Sequence, residues 1–274
     1  MISIEPITPD LGAEVRGLVD ARATRDQVAT ILRRALLEHH LLVVRARILN
    51  PREQISLGMI FGELMLVPDP VIPEYPQILR ITNQPGEKNN NVGLHWHVDG
   101  TREKFGTPIS IWHVIQRPAE GGDTLFANMH RAYEELDEDF RRQIDGLKMV
   151  SDSGAVHALV KRHPATKRKM IYTSIRRTHN FLGMDRDQTK AVLNRLDEHL
   201  NRPGGHYRHK WQDGDVVIGD NFSVAHQATP TDPRFPRILH RVTIRGGTAF
   251  YRPAAQAAKG TNVPRSIDQN ASSL

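Results

Sequence analysis

"WQDGDVVIGDNFSVAHQAT", residues 211–229, sets an apolar strand ("GDVVIGDN", 214–221) between turn residues. A short turn after "GDN" then brings His226 to a strand edge. The same kind of segment recurs at "QILRITN" (77–83), "GLHWHVDG" (93–100), "TPISIWHVIQ" (107–116), "KMIYTS" (169–174), "HYRHKWQ" (206–212) and "RILHRVTIRG" (237–246). Shorter strand-like pieces, "ISIEPI" and "AEVRGLV", open the chain, and "LLVVRA" (41–46) reads as a buried strand.

Helical patterns interrupt these strands. In "TRDQVATILRRALLEHH", Thr24 and Gln27 form a capping box, and Val28, Ile31, Leu32, Ala35 and Leu36 make one apolar stripe. "NPREQISLGMIFGEL" places Asn50 as cap and Pro51 at the first helical position. Further helices are expected over 129–147 and 185–201. Many strands without regular βαβ alternation predict a mostly β fold with flanking helices, an antiparallel sandwich or barrel. Residues 1–252 read as a single domain, and the small, polar, aperiodic stretch 253–274 as a loosely held C-terminal tail.

A chain of 274 residues, 39% apolar and 25% charged, can bury a sizeable core. The absence of cysteine removes disulfides, thiolate ligands and a cysteine nucleophile, leaving His, Asp and Glu to hold any metal. No run approaches the roughly 18 to 20 apolar residues that cross a bilayer, and "MISIEPITPD" lacks the regions of a signal peptide. These features predict a soluble cytoplasmic protein with no membrane partner. The formal charge is +6, but the basic residues are spread out and mixed with acids, and aromatics are 6% of the chain. That pattern favours a solvated basic surface, or attraction of small anions, over nucleic-acid binding.

Within "LHWHVDG", His95, His97 and Asp99 fall on every second residue, so on a strand all three point one way. Two of them, joined by a distant histidine, make a 2-His-1-carboxylate triad with three adjacent positions open, the arrangement of non-haem Fe(II) oxygenases. His226, 127 residues beyond Asp99, is such a histidine. "RPAEGGDTLFANMHRAYEEL" sets Thr124 after a Gly-Gly-Asp turn, and "RFPRILHRVTIRG" puts Arg237, Leu239 and Arg241 on one strand face. Guanidiniums directed into a barrel are costly unless anions meet them, and their planar fork suits a carboxylate.

These stretches, with "GAEVRGL", "HHLLVVR", "FGEL", "RHP" and "AHQAT" in order, resemble the taurine dioxygenase family of Fe(II)/2-oxoglutarate-dependent oxygenases across about residues 10 to 250. The resemblance implies a double-stranded β-helix, or jelly roll. It implies His97, Asp99 and His226 as iron ligands and as the catalytic set, with Fe(II), 2-oxoglutarate and O2 as the reacting partners. Thr124 and Arg237, the latter eleven residues after His226, match the contacts to the cosubstrate's distal carboxylate. Arg241, fifteen after His226, matches a position that meets either the substrate's acid group or the cosubstrate.

The implied reaction is oxidation of a small acid-bearing metabolite, with 2-oxoglutarate decarboxylated to succinate and CO2. An amino acid or amino-acid derivative is the first expectation, and hydroxylation the first outcome. Desaturation, or cleavage of a sulfonate or isocyanide-type substrate, is the alternative. A non-enzymatic ligand-binding jelly roll and a nucleic-acid-binding protein are the competing classes. The match departs from taurine dioxygenase proper at Val67, which replaces a histidine shortly after "FGEL", and at Gly93, which replaces an asparagine. Met65, Val67 and Leu94 then make a more apolar pocket wall, and His95 and His179 are further candidates to contact substrate.

The remaining features have plainer readings. Trp96 and Trp112 are expected in the core, "HYRH" (206–209) on the surface, and His39 and His40 at a helix end that they complement electrostatically. "GTREKFG" (100–106) reads as a lid or an ordinary polar loop. A homo-oligomer is the default assembly for this fold.

Overall fold

The computed structural model describes residues 2–18, 23–69, 71–88 and 92–247. The proposed tail, 253–274, and the exact end of the domain lie outside them. Two sheets face one another. The larger has seven strands in the order β1 (Ser3–Pro6), β2 (Ala13–Arg16), β3 (Leu41–Val44), β13 (Val216–Asp220), β5 (Ile109–Gln116), β15 (Ile238–Thr243) and β4 (Leu79–Thr82). All pairs are antiparallel except β2 with β3. The smaller sheet runs β12 (Tyr207–His209), β6 (Thr124–Asn128) and β14 (Val224–Ala228). It is extended by an isolated bridge from His226 to His97, and from His97 to Ser174.

Alternation along the strands sorts the side chains. On β5, Trp112 and Val114 turn inward to meet Phe126, Trp211, Val217 and Leu239 between the sheets. Ile109 and Ile111 turn outward with Val216, Ile218 and Val242. That outer face is covered by α1 (Arg25–His39), whose buried stripe is Leu32, Ala35 and Leu36, and by α2 (Pro51–Met59). Both helices carry their expected capping boxes, from Thr24 and Asn50. Gly219 sits against Trp112, where an added Cβ would lie 2.9 Å from the indole, so only glycine fits there.

The smaller sheet is backed by a second apolar cluster that includes Trp96, Val98, Tyr172 and Leu196. Its helices are α3 (Met129–Glu134), α4 (Glu138–Ile144) and α5 (Arg186–Asn201). The single helix expected over 129–147 is two, because the Asp137 carboxylate accepts from the Phe140 amide and starts a new helix. Strands β7 (Lys148–Ser151), β8 (Val156–Ala158) and β11 (Thr178–Phe181) form a three-stranded sheet, and β9 (Val160–Arg162) pairs with β10 (Lys169–Ile171).

Three other expectations are corrected. "GLHWHVDG" is not a continuous strand: only His97 is paired, and Gly93 and Gly100, at φ +80° and +88°, turn the chain at its two ends. "HYRH" is not a surface pair: His209 is buried with its Nε2 3.2 Å from Asp215, because β12 packs its alternate residues onto the core. His40 does not supply a charge to the helix end. It is the left-handed C-cap (φ 65°), and burial pushes its imidazole down to about 4.

Candidate metal centre and anion-binding site

His97 and His226 exchange backbone hydrogen bonds of 3.1 and 2.8 Å across their bridge, which sets their rings 4.1 Å apart between centroids. Asp99 follows two residues later, with its carboxylate 3.9 Å from His97 Nε2. One donor atom from each of His97, Asp99 and His226 lies within 4.8 Å of the other two, the only such group of three among the described residues.

The protonation states suit a cation. His97 Nδ1 is 2.7 Å from the His95 carbonyl, to which it donates, so Nε2 keeps its lone pair. Burial lowers both imidazoles from their ordinary value and keeps them neutral. His226 Nδ1 is buried and has no hydrogen-bond partner among the described residues. For Asp99, burial alone would raise the carboxyl. The positive charge of Arg241, the two imidazoles and the Ser110 hydroxyl outweigh it, and hold Asp99 well below the usual carboxylate range. Ser110 donates to Asp99 Oδ2 at 2.7 Å and accepts from Asn221 Nδ2 at 3.1 Å. Two neutral imidazoles, one of them with an orphaned buried nitrogen, and one ionised carboxylate fit a divalent metal of the iron type.

The second part of the site lies between the sheets at Arg237. A register shift between Ile238 and Leu239 separates this arginine from the regular part of β15. Its Nε donates to the Gly122 carbonyl at 2.9 Å and its Nη2 to Thr124 Oγ1 at 3.3 Å. Trp211 Nε1 also donates to that hydroxyl at 3.1 Å, so Thr124 is left to donate its own proton elsewhere. Arg237 is 6% exposed, no carboxylate among the described residues is hydrogen-bonded to it, and burial, opposed by the charge of Asp123, lowers it to about 10. A buried guanidinium beside a free hydroxyl donor is a carboxylate cradle. Gly122 makes room for it: a Cβ there would come within 3.0 Å of Arg237 Cδ.

Arg241 separates from Arg237. It pairs with Trp112 across β15 and β5, and its Nη1 binds both oxygens of Asp99. Of the other sequence candidates, Met65 is half-buried and pairs its amide with the Thr243 carbonyl at 2.8 Å, and half-buried Val67 bonds to Pro76. Half-buried Leu94 offers its carbonyl to Gln227 at 3.2 Å. The His95 imidazole is outside the three-residue group. His179 is exposed on β11, in a separate pocket with Arg176 and Arg186. Trp96 and Trp112 are core residues, the latter edge-on to His226 at 4.7 Å. The 100–106 segment is tied down by Arg102, which pairs with Asp152 at 3.1 Å.

Sequence reasoning missed Ser110, Asn221, Trp211 and Gly122. Ser110 carried a usable signal: it alternates with Trp112 and Val114 on β5, and so shares their inward face.

The family model described as "Taurine catabolism dioxygenase TauD, TfdA family" matches residues 3–243. A protein named alkylsulfatase from Acinetobacter baylyi is 28% identical over an alignment of 300 residues, covering 97% of this chain and 91% of its own. An (S)-phenoxypropionate/alpha-ketoglutarate-dioxygenase from Sphingobium herbicidovorans is 29% identical, covering 90% and 96%. The crystal structure of a taurine dioxygenase from Burkholderia xenovorans superposes with a TM-score of 0.77 at 30% identity, covering 89% of each chain.

Proposed function

Because the chain belongs to the TauD/TfdA family of alpha-ketoglutarate-dependent dioxygenases, we propose that His97, Asp99 and His226 hold its iron, and that Thr124 and Arg237 hold the distal carboxylate of 2-oxoglutarate. The observation that carries this reading is the pairing of two features in one interior: a neutral-His, ionised-Asp cluster, and a buried arginine whose hydrogen bonds, among the described residues, go to neutral acceptors. Bound Fe(II) supplies the oxidation chemistry, using O2 and the decarboxylation of 2-oxoglutarate. The chain's own residues do the positioning. His95 and Ser110 fix the orientation of His97 and Asp99, and Trp112 and Phe126 wall His226 with apolar surface that excludes water.

The proposed substrate is a small organic acid. The relatives' names, alkylsulfatase and phenoxypropionate dioxygenase, widen the expectation from amino acids to anionic esters and aryloxy acids. Hydroxylation is the proposed outcome, since a substrate carbon hydroxylated next to an ester or ether oxygen releases the group beyond it. Residues 1–252 are the proposed domain. The cytoplasm, where iron stays reduced, is the proposed compartment. Among the described residues no helix is long and apolar enough to cross a membrane.

The test is anaerobic addition of Fe(II) and then 2-oxoglutarate. A visible charge-transfer band is expected, weakened strongly in His97→Ala and Arg237→Ala, and succinate should form when oxygen is admitted. A wild-type protein showing neither overturns the assignment.

A further inference from the structure

Lys161, on β9, has no acid to pair with. The Tyr172 amide donates to the Leu159 carbonyl at 2.7 Å, which lays the Tyr172 ring against His157 of β8 and Lys161 of β9. The rings of His157 and Tyr172 meet edge-on at 5.2 Å. Lys161 Nζ stands 3.4 Å over the centroid of Tyr172 and 5.9 Å from that of Phe222. The same nitrogen lies 3.1 Å from His157 Nδ1, to which it donates. Among the described residues no carboxylate pairs with Lys161 or acts on it through its charge. Lys169 is the contrast: it pairs with Asp145 at 2.6 Å, and that bond raises it above its ordinary value.

Three groups around that nitrogen are chemically complementary. The Tyr172 ring face favours the ammonium, but burial disfavours it and lowers the amine to about 7, so near neutral pH a large share carries a lone pair. Lys161 is only partly buried, so solutes reach it. Burial, and then the charge of Lys161, lower His157 to about 4 against the backbone of Glu103 and Thr101, which leaves its Nδ1 a proton acceptor. Tyr172 Oη is buried and has no hydrogen-bond partner among the described residues. Burial, joined by the charges of Asp99 and Glu103, pushes the phenol up, so it keeps a proton to donate. Gly106 leaves room at that hydroxyl: a Cβ there would lie 2.8 Å from it. A nucleophilic amine, a proton acceptor and an unused donor suit a small electrophile that becomes an anion when attacked.

We propose that Lys161 is a site of reversible carbamylation by CO2, with His157 taking the proton and Tyr172 donating to the new carboxylate. The nitrogen lone pair forms an N–C bond to CO2, and one C–O π pair becomes a carboxylate lone pair. One N–H proton passes to His157 Nδ1 and on to solvent. Nothing is oxidised or reduced, and release reverses the same steps. The adduct supplies the carboxylate that this cluster lacks. Decarboxylation of 2-oxoglutarate releases CO2 within the same fold, so the modification answers to the enzyme's own product. Only that source of CO2 depends on the proposed iron site; the carbamylation site does not.

The test equilibrates full-length protein near neutral pH with carbon-13 bicarbonate, fixes carbamates with triethyloxonium ion and locates them by peptide mass spectrometry. Lys161 is expected to carry at least ten times the label of Lys169, held by Asp145, and of the exposed Lys190 on α5. Tyr172→Phe keeps the ring and removes the hydroxyl; it should lower the Lys161 label at least threefold and leave that of Lys190 unchanged. Label at Lys161 no greater than at Lys190 overturns the proposal, as does a Tyr172→Phe label equal to the wild type's. In the Fe(II)-loaded enzyme under oxygen, 2-oxoglutarate carrying carbon-13 in its leaving carboxylate should label Lys161 without added bicarbonate. If succinate forms and Lys161 stays unlabelled there, the enzyme's own CO2 is overturned as the source. If no succinate forms, it is the iron site that fails.

Discussion

Arg241 Nη1 lies 2.9 and 3.0 Å from the two carboxylate oxygens of Asp99, so the proposed anionic metal ligand already has a cation beside it. A buried carboxylate without such a partner is strongly destabilising. Arg241→Met is therefore expected to cost the metal-free protein about 2 kcal/mol, a figure reduced from the fully buried case because Arg241 is partly open to solvent. With Mn(II) bound, the metal neutralises Asp99 and the cost should shrink. Urea unfolding with and without metal checks this, and an equal loss in both states would show that the pair is not what stabilises Asp99.

Ser110 orients the same carboxylate from the other side, and is itself held by Asn221. Ser110→Ala leaves the ligand set intact but frees Asp99 to rotate. Metal affinity is expected to fall roughly 10- to 100-fold with little change in fold. Competition titration with a fluorescent chelator measures it, and a variant that holds metal as tightly as wild type refutes the role.

Arg237 has the opposite stability signature. Its charge is buried, its hydrogen bonds among the described residues go to neutral acceptors, and Asp123 acts on it only through its charge, so Arg237→Met should leave the metal-free protein about as stable as before. The same change should weaken 2-oxoglutarate at least tenfold, read from the midpoint of the anaerobic charge-transfer titration. Unchanged affinity would remove Arg237 from the cosubstrate site.

The buried histidines make stability acid-sensitive. Burial lowers His40 from 6.5 to about 4, so the unfolded chain binds more protons than the fold throughout that interval. The contribution is constant above pH 6.5, falls as the pH drops toward 4, and has a limiting slope of about 1.4 kcal/mol per pH unit for one group. His113, also pushed down to about 4 by burial, acts in the same direction. His40→Asn keeps a side chain tolerant of the left-handed φ, and should shallow the slope between pH 6.5 and 4.5 by up to one proton. Unfolding free energies at pH 7, 6 and 5 test this, and an unaltered slope would show that His40 is not buried neutral.

Hydrophobic period and cap chemistry make most of the elements legible in the sequence alone. Thr24, Asn50 and Asp185 mark helix starts by local chemistry, and the apolar runs at 107–116 and 214–221 lie in register in the larger sheet. The cluster of His97, Asp99 and His226, the proposed metal ligands, is legible because two of them lie two residues apart and the family resemblance selects His226 as the third. What stays hidden depends on contacts distant in sequence. Strand alternation puts Arg241 on β15, but only the folded sheet sets it against Asp99, 142 residues away in sequence. The split at Asp137 turns on a cap inside an unbroken helical pattern, and the burial of His209 on its partner Asp215.

The paired backbone bonds between His97 and His226 bear on how the centre is assembled. Their spacing is set by the sheet. With Arg241 beside Asp99, the three proposed ligands are placed by strand pairing and an ion pair, whereas in small zinc modules the ligands gather only around the metal. Removing the proposed iron with a chelator is therefore expected to leave the far-UV circular dichroism unchanged, and activity should return when Fe(II) is added back.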